Sequence, residues 1–313
     1  MNGPLVEVVS KAIAIRGGGG PVRACLVVAA RGSTPQPAGA MMLVEESGET
    51  FGTIGGGCVE AELARRALAM MLSGTTGVHE VTLDHDYGWD DGLICGGMLR
   101  VAMGTLPEAG ELDAIERDMG DRVETRLPIY VQIEDVPSHY DLRIPPRPRV
   151  LIAGGGHIGQ AVARHGLRLD FETVLFDDRE DLLHRHAPAG CSVVAGDIAQ
   201  SLTDFEIDQD TYCVIVTRGH RHDAQALAAV IDRGARFVGM IGSERKVLLT
   251  RRDLIERGVP EGSLDAVSAP IGVDIGSVTG EEIALSIAAQ LVQVRSGRGR
   301  VSVDGPHKCE HGA

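Results

Sequence analysis

Val150-Leu151-Ile152-Ala153-Gly154-Gly155-Gly156-His157-Ile158-Gly159 decides the fold. An apolar strand runs into glycines at 154, 156 and 159 that satisfy G-x-G-x-x-G, and a helical pattern continues to Leu169. A second apolar strand, Thr173 to Phe176, ends at Asp177-Asp178, where a ribose-binding carboxylate is expected. Gly154 permits the tight turn, Gly156 removes a Cβ that would hold a pyrophosphate away, and Gly159 lets the helix press on the strand. The helix start, at His157-Ile158, offers free N–H groups and partial positive charge to an anion. A carboxylate at Asp177 or Asp178 suits a ribose diol and repels a 2′-phosphate. A diphosphate-linked nucleoside is the expected ligand class; the alternative is a Rossmann-like domain, carrying Gly155 among its turn residues, whose glycines serve packing alone.

Working outward, strand and helix keep alternating: Ser192 to Ala195; Cys213 to Thr217, then Asp223 to Arg233; Phe237 to Ile241, then Glu244 to Gly258; and a final helix from Thr279 to Val294. Such alternation predicts an α/β fold with a parallel sheet and crossover helices. Thr279 and Glu282 have capping-box spacing. Upstream of the Pro-rich stretch at 144–149, strands are expected at Ala24 to Ala30, Ala40 to Glu46, Val78 to Asp84, Leu99 to Gly104 and Leu127 to Glu134, with one strong helix from Val59 to Leu72. The predicted organisation is an α+β domain over 1–143, a linker over 144–149, a Rossmann-like domain over 150–295, and a disordered Gly-rich, polar tail over 296–313.

Composition narrows the function. A formal charge of −14 excludes nonspecific binding to a phosphate polymer, which needs a basic footprint. No window approaches the ~20 apolar residues of a membrane span, and the N-terminus does not read as a secretory signal, so cytoplasm is the expected compartment. The six cysteines lie far apart with no C-x-x-C pair, which speaks for reduced thiols.

Two of those thiols sit in glycine loops. Cys58 follows Gly55-Gly56-Gly57 at the start of a helix and precedes Val59-Glu60, where the macrodipole favours a thiolate; Cys95 stands before Gly96-Gly97. Two such loops could form one thiol-lined pocket, whereas Cys25, Cys191 and Cys213 lie in or beside apolar strands and read as core. Beyond the strand ending at Thr217, the loop Arg218-Gly219-His220-Arg221-His222-Asp223 should face the same crevice as the Gly154 turn, with His220 and Asp223 in reach of a ligand or serving as local caps. Gly242-Ser243-Glu244-Arg245-Lys246 offers phosphate donors or a solvated helix face. Asp274, among alternating Gly and apolar residues, is an Asx-turn residue or a ligand contact.

Together, Arg31-Gly32-Ser33-Thr34-Pro35, Gly39, Gly52 to Glu60, Cys95-Gly96-Gly97, the Gly154 turn with Asp177-Asp178, Thr217 to Asp223, Ile241-Gly242-Ser243, and Pro270 to Gly276 with Glu281 to Ala284 resemble the XdhC/CoxI family. These are accessory factors of xanthine dehydrogenase and carbon monoxide dehydrogenase type molybdenum enzymes. The resemblance implies a CoxI-type N-terminal domain and a protein that binds molybdenum cofactor, in mononucleotide or cytosine dinucleotide form, and delivers it to an apo molybdenum hydroxylase. It implies a carrier without catalytic residues, with Cys58 and Cys95 as molybdenum contacts and a cofactor sulfuration or nucleotidyl transfer enzyme as a further partner. A homo-oligomer is the default expectation. The rival readings are an NAD(H)-dependent oxidoreductase with His220 moving the proton, and an NAD(H)-sensing module. This chain departs from the family with Gly280 where Pro is common, and with Gln36-Pro37 in place of a basic residue.

Overall fold

A computed structural model describes residues 2–83, 97–296 and 301–309. The chain divides into two compact units, Met1–Pro146 with Gly299–Ala313, and Arg147–Arg298.

In the first unit the elements are α1 (Asn2–Gly17), β1 (Val22–Arg31), β2 (Met41–Glu45), β3 (Thr50–Gly52), α2 (Gly57–Ser73), β4 (Gly77–Thr82), β5 (Met98–Gly104), α3 (Ala109–Gly120), β6 (Thr125–Ile133) and β7 (Val136–Ile144). An antiparallel sheet of order β3-β2-β1-β5-β4 carries two apolar faces. Because side chains alternate along a strand, Ala24 and Leu26 of β1 pack with α1 and α3, while Cys25 and Val27 pack under Val59, Leu63 and Ala67 of α2. The helix α2 ends at Gly74, whose φ of 68° closes the left-handed cap.

The second unit runs β8 (Arg149–Ala153), α4 (His157–Arg168), β9 (Glu172–Asp177), α5 (Glu180–His186), β10 (Ser192–Ala195), α6 (Ile198–Asp204), β11 (Thr211–Ile215), α7 (His220–Val230), β12 (Phe237–Met240), α8 (Glu244–Glu256), α9 (Glu261–Asp265) and α10 (Gly280–Ser296). Its sheet is parallel, in the order β10-β9-β8-β11-β12. Both faces are covered, as parallel sheets require: Val150 and Ile152 pack with residues of α4 and α10, Leu151 and Ala153 with residues of α6, α7 and α8. The fold is thus α/β with a doubly wound parallel sheet. The order reverses between β8 and β11, which places the loops after those two strands at the topological switch point, the usual ligand crevice of this architecture. The capping box forms: Glu282 Oε2 accepts from the Val278 and Thr279 N–H groups, and Thr279 Oγ1 accepts from the Glu282 N–H.

Two sequence expectations change. Ile144 ends β7 and Arg149 opens β8, so the connection is 145–148. The polar segment expected to be disordered forms β13 (Ser302–Lys308), paired antiparallel with β7 in a sheet of order β13-β7-β6. Its anchors are Val301 and Val303, which pack on the core of the first unit, and the unpaired edge of β7, which supplies the hydrogen bonds.

Candidate functional site

In the second unit, Gly154 leaves β8 with φ 114°, a conformation that side chains rarely adopt, and a Cβ there would lie 2.5 Å from the Val216 carbonyl oxygen. The Gly155 N–H donates to Asp177 Oδ2 at 2.7 Å, and Gln160 Nε2 donates to the Gly155 carbonyl at 2.8 Å. Gly156 is the N-cap of α4 in extended conformation, and a Cβ on it would meet nothing within 4 Å. His157 and half-buried Ile158 begin the helix, and Gly159 faces the turn. The open side of the turn is therefore at Gly156, beside the first free N–H groups of α4.

Asp177 does not face outward as a ribose acceptor. It is buried, and both carboxylate oxygens are taken: Oδ1 by the Arg179 N–H at 3.0 Å and Arg179 Nε at 2.7 Å, Oδ2 by Gly155 and by Arg179 Nη2 at 2.8 Å. Burial would raise its pKa, but the Arg179 fork and the two backbone donors outweigh it and bring the carboxyl down to about 2. The exposed carboxylate is Asp178, which pairs with Arg218 Nη2 at 2.6 Å. A cavity of 60 Å³ beside the turn is lined by Gly154, Gly156, Asp178, Arg179, Arg218 and His222 among others. Sequence reasoning chose His220 from this loop; His220 is the exposed first residue of α7, and His222 lines the cavity instead. Arg179, Arg218 and Gln160 were missed as well; an arginine beside each strand-end carboxylate or threonine was the available signal.

Thr217 and Asp223 do come together. Asp223 is fully buried in the first turn of α7, and its Oδ1 accepts from the Thr217 hydroxyl at 2.5 Å and the Thr217 N–H at 3.2 Å. Its other oxygen is ion-paired with Lys246 of α8. Asp223 thus ties the loop after β11 to the first turn of α8 instead of facing a ligand. Ser243 is the N-cap of α8, accepting from the Lys246 N–H, and Gly242 lies under the Lys246 side chain. Asp274 takes the Asx-turn alternative: it is exposed and its Oδ1 accepts from the Gly276 N–H at 3.2 Å.

In the first unit, three glycine-bearing segments converge. A Cβ on Gly97 would lie 2.2 Å from the Ser33 carbonyl oxygen, so Gly97 makes room for the Arg31 to Pro35 loop, not for a ligand. A Cβ on Gly55 would be 3.2 Å from Pro35 Cγ. Gly56 is the N-cap of α2, Gly57 its first residue, and added Cβ atoms at both would find open space. Cys58 is exposed in that first turn. Glu60, two residues on, folds back: its Oε1 accepts from Thr53 Oγ1 at 2.6 Å and from the Ile54 and Gly55 N–H groups at 3.2 and 3.3 Å. Glu60→Ala should cost about 1–2 kcal/mol by orphaning these donors, and Glu60→Gln, which keeps an acceptor oxygen, should cost less; urea unfolding followed by circular dichroism checks the order. Cys95 and Gly96 lie outside the described residues.

Of the three thiols expected in the core, Cys25 and Cys213 are buried, whereas Cys191, one residue before β10, is half-buried. Burial pushes Cys25 and Cys213 up to about 12 and half-buried Cys191 to about 11. Among the described residues no group of three His, Cys, Asp or Glu side chains is spaced to hold a metal ion, and no helix is long and apolar enough to cross a membrane.

Comparison with known proteins agrees with this geometry. Residues 150–291 match the XdhC Rossmann domain, and residues 16–82 match the XdhC and CoxI family. The chain is 28% identical over 278 residues to the uncharacterized protein YqeB of Escherichia coli, covering 88% of this chain but only 44% of YqeB. It is 24% identical to a probable xanthine dehydrogenase subunit of Bacillus subtilis, covering 86% of this chain and 92% of that protein. It is 26% identical to the molybdenum cofactor insertion chaperone PaoD of Escherichia coli, covering 90% and 86%. A crystal structure described as a xanthine dehydrogenase from Bacillus halodurans superposes with a TM-score of 0.80 at 21% identity, covering 94% of this chain and 96% of that one, and so shares the fold. With both of its units matched, the chain belongs to the XdhC and CoxI family.

Proposed function

We propose that this protein is a carrier that binds molybdenum cofactor as cargo and hands it to an apo molybdenum hydroxylase of the xanthine dehydrogenase or carbon monoxide dehydrogenase type. The observation that carries the reading is Cys58: an exposed thiol in the first turn of α2, next to Gly56 and Gly57 whose missing side chains leave its approach open. The chain's similarity to a relative named as an insertion chaperone for this cofactor supports the same reading.

The donor set fits the cargo. Molybdenum in a pterin dithiolene is soft, so a thiolate from Cys58, with Cys95 as the second candidate, suits it as a temporary ligand. In the second unit, taken by itself, the N–H groups at Gly156 to Ile158, with the guanidinium of Arg218 nearby, suit a phosphate such as a mononucleotide or cytosine dinucleotide form carries. Such a carrier needs no catalytic residue: its side chains bind, orient and release. Few strong bonds favour release to the client. Thiols that stay reduced suit a cytoplasmic carrier, which a cofactor sulfuration or nucleotidyl transfer enzyme would load, and a homo-oligomer is the expected state.

The purified full-length protein, incubated with molybdenum cofactor and passed over a sizing column, should retain it, and Cys58→Ala should weaken retention at least about tenfold, a loss of about 1.4 kcal/mol. No retention by the wild type would overturn the carrier reading; wild-type retention by both Cys58→Ala and Cys95→Ala would remove the thiol contact. The parallel strand order and the exposed Asp178 also suit NAD(H). Calorimetry with NAD(H) separates that reading, which predicts binding that Cys58→Ala leaves unchanged.

A further inference from the structure

The strands β6, β7 and β13 gather a second set of reactive side chains in the first unit, remote in sequence from Cys58. Tyr130 and His307 both stand opposite His139 in register, so the three side chains share one face of the sheet. Asp141, two residues along β7, is on that face, whereas Tyr140 and Leu142 point into the core. The Cys309 N–H donates to the Pro137 carbonyl at 3.0 Å, which continues the ladder by one residue and brings the half-buried thiol onto the same face.

The groups stand in series. Cys309 Sγ lies 3.8 Å from His139 Nδ1, and His139 Nε2 lies 3.6 Å from Asp141 Oδ1. His307 Nε2 approaches the other Asp141 oxygen at 4.0 Å, and the two imidazole rings are 5.2 Å apart. A nucleophile, a base and a group that orients the base is the arrangement that assists covalent chemistry at sulfur. Asp141 is only 13% exposed; its Oδ1 faces His139, while Arg126 Nη1 at 3.7 Å shares Oδ2 with His307.

We propose that Cys309 is a covalent thiol-exchange site, with His139 as its general base and Asp141 as the residue that positions His139. The co-reactant is a low-molecular-weight disulfide. Cys309 sulfur attacks one sulfur of the disulfide as its proton passes to His139 Nδ1; a new S–S bond forms and the old one breaks. The departing thiolate takes the proton from the imidazolium, so Cys309 is oxidised to a mixed disulfide and one half of the co-reactant is reduced to a thiol. Among the described residues Cys58 has no such chain, since no hydrogen bond joins its thiol to an imidazole, whereas Cys309 has His139. Exposed Cys58 and half-buried Cys309 therefore separate into one suited to soft-metal contact and one suited to exchange.

Oxidised glutathione tests this on the full-length protein, with each modified peptide followed by mass. Native Cys309 should form its mixed disulfide about tenfold faster than Cys309 in the urea-unfolded chain, in line with general-base assistance. His139→Gln should bring that rate down to the unfolded value while the rate at Cys58 stays as in wild type, and Asp141→Asn should fall between. Native Cys309 reacting no faster than the unfolded thiol would overturn the proposal, as would an unchanged Cys309 rate in His139→Gln. Failure here leaves retention of molybdenum cofactor untouched, because neither Cys309 nor His139 belongs to the carrier site.

Discussion

Gly159→Ala is expected to destabilise the Rossmann unit by about 3 kcal/mol, the upper end for overpacking, although alanine is the better helix former by about 1 kcal/mol. The two effects have opposite signs, and the geometry decides between them. A Cβ on Gly159 would lie 1.8 Å from the Gly154 carbonyl oxygen and 3.0 Å from its carbon, and both are backbone atoms of the strained turn. The helix cannot back away cheaply, because it is also tightly packed two turns on: a Cβ on Gly166 would be 2.9 Å from Thr173 Oγ1 and 3.2 Å from Val150 Cγ1. Urea unfolding followed by circular dichroism measures the loss, and hydrogen exchange in β8 and α4 locates it. Gly156→Ala is the control. Its Cβ would meet nothing and its φ of −69° suits any residue, so stability should stay within about 0.5 kcal/mol of wild type. A Gly159→Ala protein as stable as Gly156→Ala would refute the close-packing account.

This contrast also shows what the sequence could tell. The turn from Val150 to Gly159 is a local object: strand, glycine spacing and helix lie within ten residues, and Gly154 and Gly159 have steric reasons that the pattern alone announces. The alternation of strands and helices likewise implied the parallel sheet, since a crossover is the connection parallel neighbours need. The roles of the motif carboxylates were not legible, because their partners come from elsewhere in the chain. Asp177 reads as a ribose acceptor until Gly155 and Arg179 occupy both of its oxygens, and Asp223 reads as a ligand contact until Lys246 arrives from α8. Gly97 reads as a ligand approach until Ser33, more than sixty residues earlier, fills the space. The strand β13 was hidden for the same reason. Ser302 to Lys308 contains Gly and Pro and little apolar alternation, so its pairing comes from β7, not from its own propensity.

Placing these carboxylates inside the fold moves ligand recognition toward backbone and cation. With Asp177 committed to the turn and Asp223 to Thr217 and Lys246, the groups lining the cavity beside Gly156 include Arg179, Arg218 with Asp178, and His222. That set suits the phosphate part of a ligand, a part that the proposed cargo and a nicotinamide dinucleotide share.

Asp177 also makes the fold sensitive to acid in a way that one substitution can isolate. Its carboxyl titrates at about 2 in the folded protein against 3.8 as the ordinary value. A depressed folded pKa means that the ionised form is favoured by folding, so the stabilisation is present above 3.8 and is lost as pH falls through 2. Linkage sets its size at about 2 kcal/mol, with roughly half already gone by pH 3. Asp177→Asn keeps an acceptor for the Gly155 N–H but not the charge that holds the Arg179 fork, and should be about 2 kcal/mol less stable than wild type at pH 7. Asp177→Ala, which leaves the guanidinium and both N–H groups without their acceptor, should lose about 3 kcal/mol or more. Other paired carboxylates, such as Glu62 between Arg65 and Arg66, contribute equally to both proteins and cancel in the difference. The gap between wild type and Asp177→Asn, measured by urea unfolding from pH 7 down to pH 3, should therefore narrow by about 1 kcal/mol. A gap that stays constant with pH would mean that Asp177 supports the turn by shape and hydrogen bonding alone, and that its charge adds nothing.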